Sequence, residues 1–128
     1  MFYLLMVIMN MDFTNIFEVD KWIQAYLILK LFDFITGFAK AGLAKNWKSD
    51  KLRRGILFVL LELIAIIFAG ILDQLLSLDF LLITTKTLFV FKECLSIKEN
   101  LEEMGIGLPK DITDAIETIN PDKENKEE

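Results

Sequence analysis

The segment from Gly55 to Leu76, GILFVLLELIAIIFAGILDQLL, limits what this chain can become more than any other stretch. It runs for 22 residues with Glu62 and Asp73 as its only charged groups. A helix needs about 20 apolar residues to cross the hydrocarbon core of a bilayer. Backbone at that depth must satisfy its own hydrogen bonds, and an α-helix does so within one segment. The stretch therefore reads as a transmembrane helix.

Two further segments extend the pattern. Trp22 to Leu43 carries Leu27, Ile28, Leu29, Leu31, Phe32, Phe34, Ile35 and Phe38, with Trp22 and Tyr26 placed near one end as interface anchors. Leu78 to Ile97 is less apolar. Thr84, Thr85, Lys86 and Thr87 interrupt it, so it reads as a span stabilised inside an assembly. Ser77, Leu78 and Asp79 form a connection short enough to force an antiparallel hairpin with the preceding helix. Hydrophobic residues make up 54% of the chain and charged ones 26%, and the two sets are segregated along it rather than interleaved. A soluble core would spread its polar residues over every helix. The expected class is an all-α membrane protein with two to three transmembrane helices, three being preferred. A transmembrane domain would cover 22–97, with spans at about 22–43, 55–76 and 78–97.

The flanks differ from this centre. Residues 1–21 form an apolar leader, expected outside or at the interface. Its first part, MFYLLMVIMNM, is about half the length of a span and lacks the basic start and small-residue cleavage site of a signal peptide. It is expected to lie at the interface or to be poorly ordered, and Met9 and Met11 offer alternative translation starts. Residues 98–128 form a charged tail. Gly105 and Gly107 break the preceding helix, and Pro109 suits a first helical turn. Ile112, Ala115, Ile116 and Ile119 then mark a short amphipathic helix ending before Pro121. The closing DKENKEE reads as solvated and disordered. From Lys92 to Glu128 there are eleven acids against five lysines, a balance that argues against nucleic acid as a partner.

Orientation follows from the connection between the first two spans. A basic loop, 44–54 with Lys40 just before it, carries Lys40, Lys45, Lys48, Lys51, Arg53 and Arg54 against Asp50 alone. Lysine and arginine are retained on the cytoplasmic side, which puts the loop inside and the N-terminus outside. Three spans then return the C-terminal tail to the cytoplasm. Anionic headgroups would also attract this loop.

Ionisable residues recur inside the spans. Tyr26, Lys30, Asp33, Gly37 and Ala41 follow at intervals of four, three, four and four, which puts them on one helix face. Lys30 and Asp33 are close enough to pair with each other, and Gly37 with Ala41 makes a small-residue patch for close helix approach. Glu62, Ala65, Ala69 and Asp73 repeat the design in the second span, and Lys86 and Glu93 lie two turns apart in the third. Asp33, Glu62 and Lys86 would together cost on the order of 8–10 kcal/mol if all faced lipid. A monomer of separate helices is thus a poor solution. Either these groups form interhelical ion pairs, for instance Lys86 with Glu62, or the stripes line a water-filled path or switchable interface in a homo-oligomer.

The chain has no histidine and one cysteine, Cys94, which reads as a small apolar residue in a helix. No intrachain disulfide, Cys/His zinc site or histidine-based acid–base pair is available. Catalytic, cofactor and metal sites are all expected to be absent, and an enzyme is disfavoured.

Two local strings add a resemblance. Phe32-Asp33-Phe34-Ile35-Thr36-Gly37 precedes the basic loop with Ser49, which leads to Arg54-Gly55-Ile56. Glu93-Cys94-Leu95-Ser96-Ile97-Lys98-Glu99-Asn100 runs on to Met104-Gly105-Ile106-Gly107-Leu108-Pro109. In this order, over roughly 22–119, they resemble the phage lysis and toxin-secretion holin family of Gram-positive bacteria and their phages. Asp33, Thr36, Gly37, Glu93, Ser96, Asn100, Gly105 and Pro109 match its pattern, which assigns them no roles. The apolar leader and the polar third span depart from it. The resemblance implies a multi-pass protein of the bacterial cytoplasmic membrane that oligomerises and opens lesions. An endolysin or a large toxin, the functional partner, would cross through them without necessary direct contact. An antiholin or regulatory subunit, or a small channel or transporter component, would share the architecture.

Overall fold

The computed structural model describes residues 1–11, 19–45 and 49–120, and every regular element among them is an α-helix. They are α1 (Phe2–Met9), α2 (Lys21–Leu43), α3 (Ser49–Leu75), α4 (Leu81–Glu103) and α5 (Lys110–Thr118). The all-α class expected from the sequence is the class observed. Two of the helical stretches, Lys21–Leu43 and Asp50–Leu75, are long and apolar enough to cross a membrane. Their outward faces, including Leu27, Leu31, Phe32, Ile35, Leu57, Leu61, Ile64 and Phe68, are exposed, as lipid-facing surfaces are.

Helix boundaries have local causes. Asp20 caps α2, its carboxylate accepting the Ile23 N–H at 3.0 Å. At the end of α3 the chain turns through Ser77, with φ of 52°, and the Leu78 N–H closes back on the Asp73 carbonyl at 2.8 Å. Gly105, with φ of 85°, ends α4 in the same way, its successor Ile106 donating to the Leu101 carbonyl at 2.9 Å. Glycine adopts such a left-handed backbone at no steric cost, whereas Ser77 adopts it against the preference of its side chain. Pro109 stands at the N-cap of α5, whose more buried positions include Thr113 and Ile116.

Three boundaries differ from the sequence reading. Part of the leader is a helix, α1, with most of its described side chains exposed. The second helix begins at Ser49, so Lys51, Arg53 and Arg54 belong to its first turns rather than to a loop; Asp50 there complements the positive helix end. The last long helix starts at Leu81 and continues to Glu103, because the Asp73 carboxylate caps its start and Gly105 sets its stop. The acidic 121–128 segment and Lys48 lie outside the described residues.

The packing is asymmetric. The backbones of α2 and α3 each lie along α4 and approach one another little, meeting mainly through side chains, so α4, the most polar of the three long helices, is the centre of the bundle. Thr85 and Thr87 fit this setting because their hydroxyls donate to the Leu81 and Ile83 carbonyls of their own helix, at 2.7 Å each.

Candidate functional site

α2 and α4 run parallel in a constant register. Tyr26 stands beside Phe89, Lys30 meets Glu93, Asp33 meets Ser96 and Lys40 meets Glu103, each pair 63 residues apart. Along α2 these positions step by four, three and seven, the spacing of a left-handed helix seam. Such a seam is normally apolar. Here nearly every layer is polar.

At its centre, Glu62 of α3 joins the two parallel helices. The Tyr26 hydroxyl donates to its Oε2 at 2.5 Å, Lys30 approaches the same oxygen at 3.4 Å, and the Lys92 ammonium pairs with Oε1. Lys30 donates to Glu93 Oε1 at 2.8 Å. Glu93 is 1% exposed, and its Oε2 has no hydrogen-bond partner among the described residues. Lys30 and Lys92 thus face Glu62 and Glu93, with Asp33 one turn further on.

Asp33 organises the next layers. Its Oδ1 accepts from the Ser96 hydroxyl at 2.6 Å and from the Asn100 amide at 3.1 Å, and that amide also donates to the Thr36 hydroxyl at 3.0 Å. Thr36 in turn donates to carbonyls of its own helix. Gly37 lies against Asn100: a Cβ there would sit 3.8 Å from the amide nitrogen. The two strings noted in the sequence therefore face each other across the seam, where Asp33, Thr36, Ser96 and Asn100 form one hydrogen-bonded group and Gly37 packs beside it. Gly105 and Pro109 set the end of α4 and the start of α5.

The remaining stripe residues go elsewhere. Lys86, 4% exposed, pairs with Asp20 at 2.9 Å. Partial burial pushes the Asp20 carboxyl up, but the Ile23 N–H and the Lys86 ammonium outweigh it and hold the group below the usual carboxylate range. Asp73 is spent on the α4 cap: its two oxygens accept the Leu81 and Leu82 N–H groups at 3.0 and 2.7 Å. Ala41 and Ala69 are buried and Ala65 is half-buried, as close helix contact requires. Lys40 pairs with Glu103 at 3.0 Å near the basic end, while Lys51, Arg53 and Arg54 are exposed. Lys45 occupies a left-handed position in the turn after α2.

Two expected pairs do not form. Lys30 turns to Glu62 and Glu93 rather than to Asp33, because the interhelical carboxylates lie deeper in the seam. Lys86 reaches Asp20 rather than Glu62, since Glu62 lies beside Lys30 and Lys92. Sequence reasoning missed Asp20 and Lys92, and named Gly55 only as the opening of a span. Asp20 carries a legible signal, an N-cap residue just before an apolar run. The other two depend on packing: Phe34 lies so close to Gly55 that a Cβ there would overlap its ring. No group of three or more metal-ligating side chains gathers among the described residues.

Comparison with known proteins identifies the family. Residues 13–121 match the model of the bacteriophage holin family. A protein of Bacillus subtilis strain 168, the uncharacterized protein YqxH, is 37% identical over 110 residues, covering 81% of this chain and 75% of the relative. A "probable holin" of Bacillus phage phi105 is 33% identical over 109 residues, covering 84% and 81%. No solved structure matches.

Proposed function

Since the chain belongs to the bacteriophage holin family and is a membrane protein, we propose that it oligomerises in the bacterial cytoplasmic membrane and opens lesions that let an endolysin, or a large toxin, cross. In this reading α4 is a third span, the basic segment faces the cytoplasm, the N-terminus lies outside and the C-terminal tail inside. The chain does no bond-breaking chemistry of its own.

The observation that carries the proposal is the polar seam. Ionisable groups at membrane depth are costly unless paired or in contact with water. Closed within one chain, the seam pairs Asp33, Glu62 and one oxygen of Glu93 with groups on neighbouring helices and presents apolar faces to lipid. Opened, the same groups would be stable only against other copies or water. Each chain thus has a lipid-compatible closed form and a form that lines an aqueous lesion, with crowding selecting the second. Asp33, Glu62 and Lys86 carry the switch, while Gly37, Ala65 and Ala69 permit close contact.

The test is induction in bacteria with and without a cytoplasmic endolysin. Endolysin-dependent lysis at a defined time is expected, with altered timing for Glu62→Leu and Asp33→Leu. Unchanged timing in both variants would refute the seam mechanism, and selective solute flux with continued growth would refute the lesion.

A further inference from the structure

Because the backbones of α2 and α3 pack chiefly on α4, and α2 reaches α3 at this level mainly through Phe34 against Gly55, a cleft of about 340 Å³ remains between them at the basic end. Its walls include Phe34, Phe38 and Phe58, and its lining carries three cations, Lys40, Lys51 and Arg54. Asp33 also lines it, but its Oδ1 is turned to Ser96 and Asn100. Lys40 is engaged by Glu103, whereas neither Lys51 nor Arg54 has a carboxylate at ion-pair distance among the described residues.

The site lies where two helices judged able to span meet the membrane surface, since Lys40 is in the last turn of α2 and Lys51 in the first turns of α3. Aromatic walls below a cationic rim match an amphiphile with an anionic head. We propose that this cleft holds one anionic phospholipid, its phosphate at the rim with Lys51 and Arg54 and its upper acyl chain along the phenylalanines. The apolar helix face of a second copy would cover the walls but leave both cations without counter-charge. The inference requires only that α2 and α3 span the bilayer, and it stands whether or not the chain opens lesions. Basic pockets between membrane helices are suited to such headgroups.

The experiment is native mass spectrometry of the full chain released from nanodiscs of equal phosphatidylglycerol and phosphatidylcholine. One retained phosphatidylglycerol per chain, well in excess of phosphatidylcholine, is expected. A direct hydrogen bond from a cation to the phosphate contributes about tenfold or more in binding, so Lys51→Ala with Arg54→Ala should reduce retention about 100-fold or more. Arg53→Ala, which removes a charge in the same turn but outside the cleft lining, should reduce it no more than about fivefold, the share that any basic residue near the surface carries. Equal retention of the two lipids would overturn the proposal. So would equal losses in Arg53→Ala and the double variant, or dimers that retain no lipid. Circular dichroism of each variant separates loss of the site from loss of the helices.

Discussion

Replacing Lys30 by methionine tests the seam most severely, because it removes a charge whose two partners stay buried. Glu93 would lose its ion pair while its second oxygen already has no hydrogen-bond partner among the described residues. Glu62 would keep Tyr26 and Lys92. The damage should therefore fall on Glu93. Breaking a buried ion pair from one side costs about 3–5 kcal/mol, because a desolvated charge is left behind. That corresponds to roughly two to three and a half orders of magnitude in the folding equilibrium. Replacing both members with apolar residues of similar volume is often neutral or stabilising. Lys30→Met with Glu93→Leu should accordingly recover most of the loss. The assay is reversible unfolding in mixed micelles by titration with a denaturing detergent, followed by helicity. A single variant within about 0.5 kcal/mol of the parent, the scatter normal for surface substitutions, would refute the reasoning. A double variant no better than Lys30→Met would do the same.

Other consequences are open to the same assay. Asp73→Ala leaves the Leu81 and Leu82 amides without their acceptor and should cost about 0.5–2 kcal/mol, with faster hydrogen exchange confined to the first turn of α4. Asp73→Asn should lose less. Gly55→Ala pushes a methyl group into the Phe34 ring and should cost about 1–3 kcal/mol, an overpacking penalty that Phe34→Leu should relieve. Asp20 titrates below its ordinary value of 3.8. Its contribution is therefore present in full above that value and lost as pH falls through the lower, folded-state value. Between about pH 6 and pH 2.5, thermal midpoints of Asp20→Asn should fall less steeply than those of the parent, and parallel curves would contradict the assignment.

How much of this was legible beforehand differs between levels. The α3 span is plain in the sequence because lipid imposes a long apolar run, and the stripe from Tyr26 to Ala41 is plain because helical period fixes which residues share a face. Partner choice is not local. Lys30 and Asp33 satisfy a helix-pairing rule, yet each prefers a group more than sixty residues away once α4 lies alongside α2. Asp73 looked like a stripe residue because its spacing from Glu62 fits, but a carboxylate near a helix end and a following helix start has a stronger use as a cap. Gly55 opened a span in the sequence; only packing reveals that its missing side chain makes room for Phe34. The family strings were recognisable in order without any hint that they face one another.

The central claim is that lesion formation requires α2 and α4 to part along the seam. It is tested most directly by locking that seam with Gly37→Cys and Asn100→Cys, since a Cβ at 37 would lie 3.8 Å from the Asn100 amide nitrogen, in a Cys94→Ser background. Disulfide formation would be driven by an added membrane-permeant oxidant and checked by thiol alkylation and mass, and lysis timing followed with co-expressed endolysin. The oxidised protein should reach the membrane and not lyse, and a membrane-permeant reductant should then trigger lysis abruptly. Lysis by fully oxidised protein on the schedule of its reduced form would contradict the account.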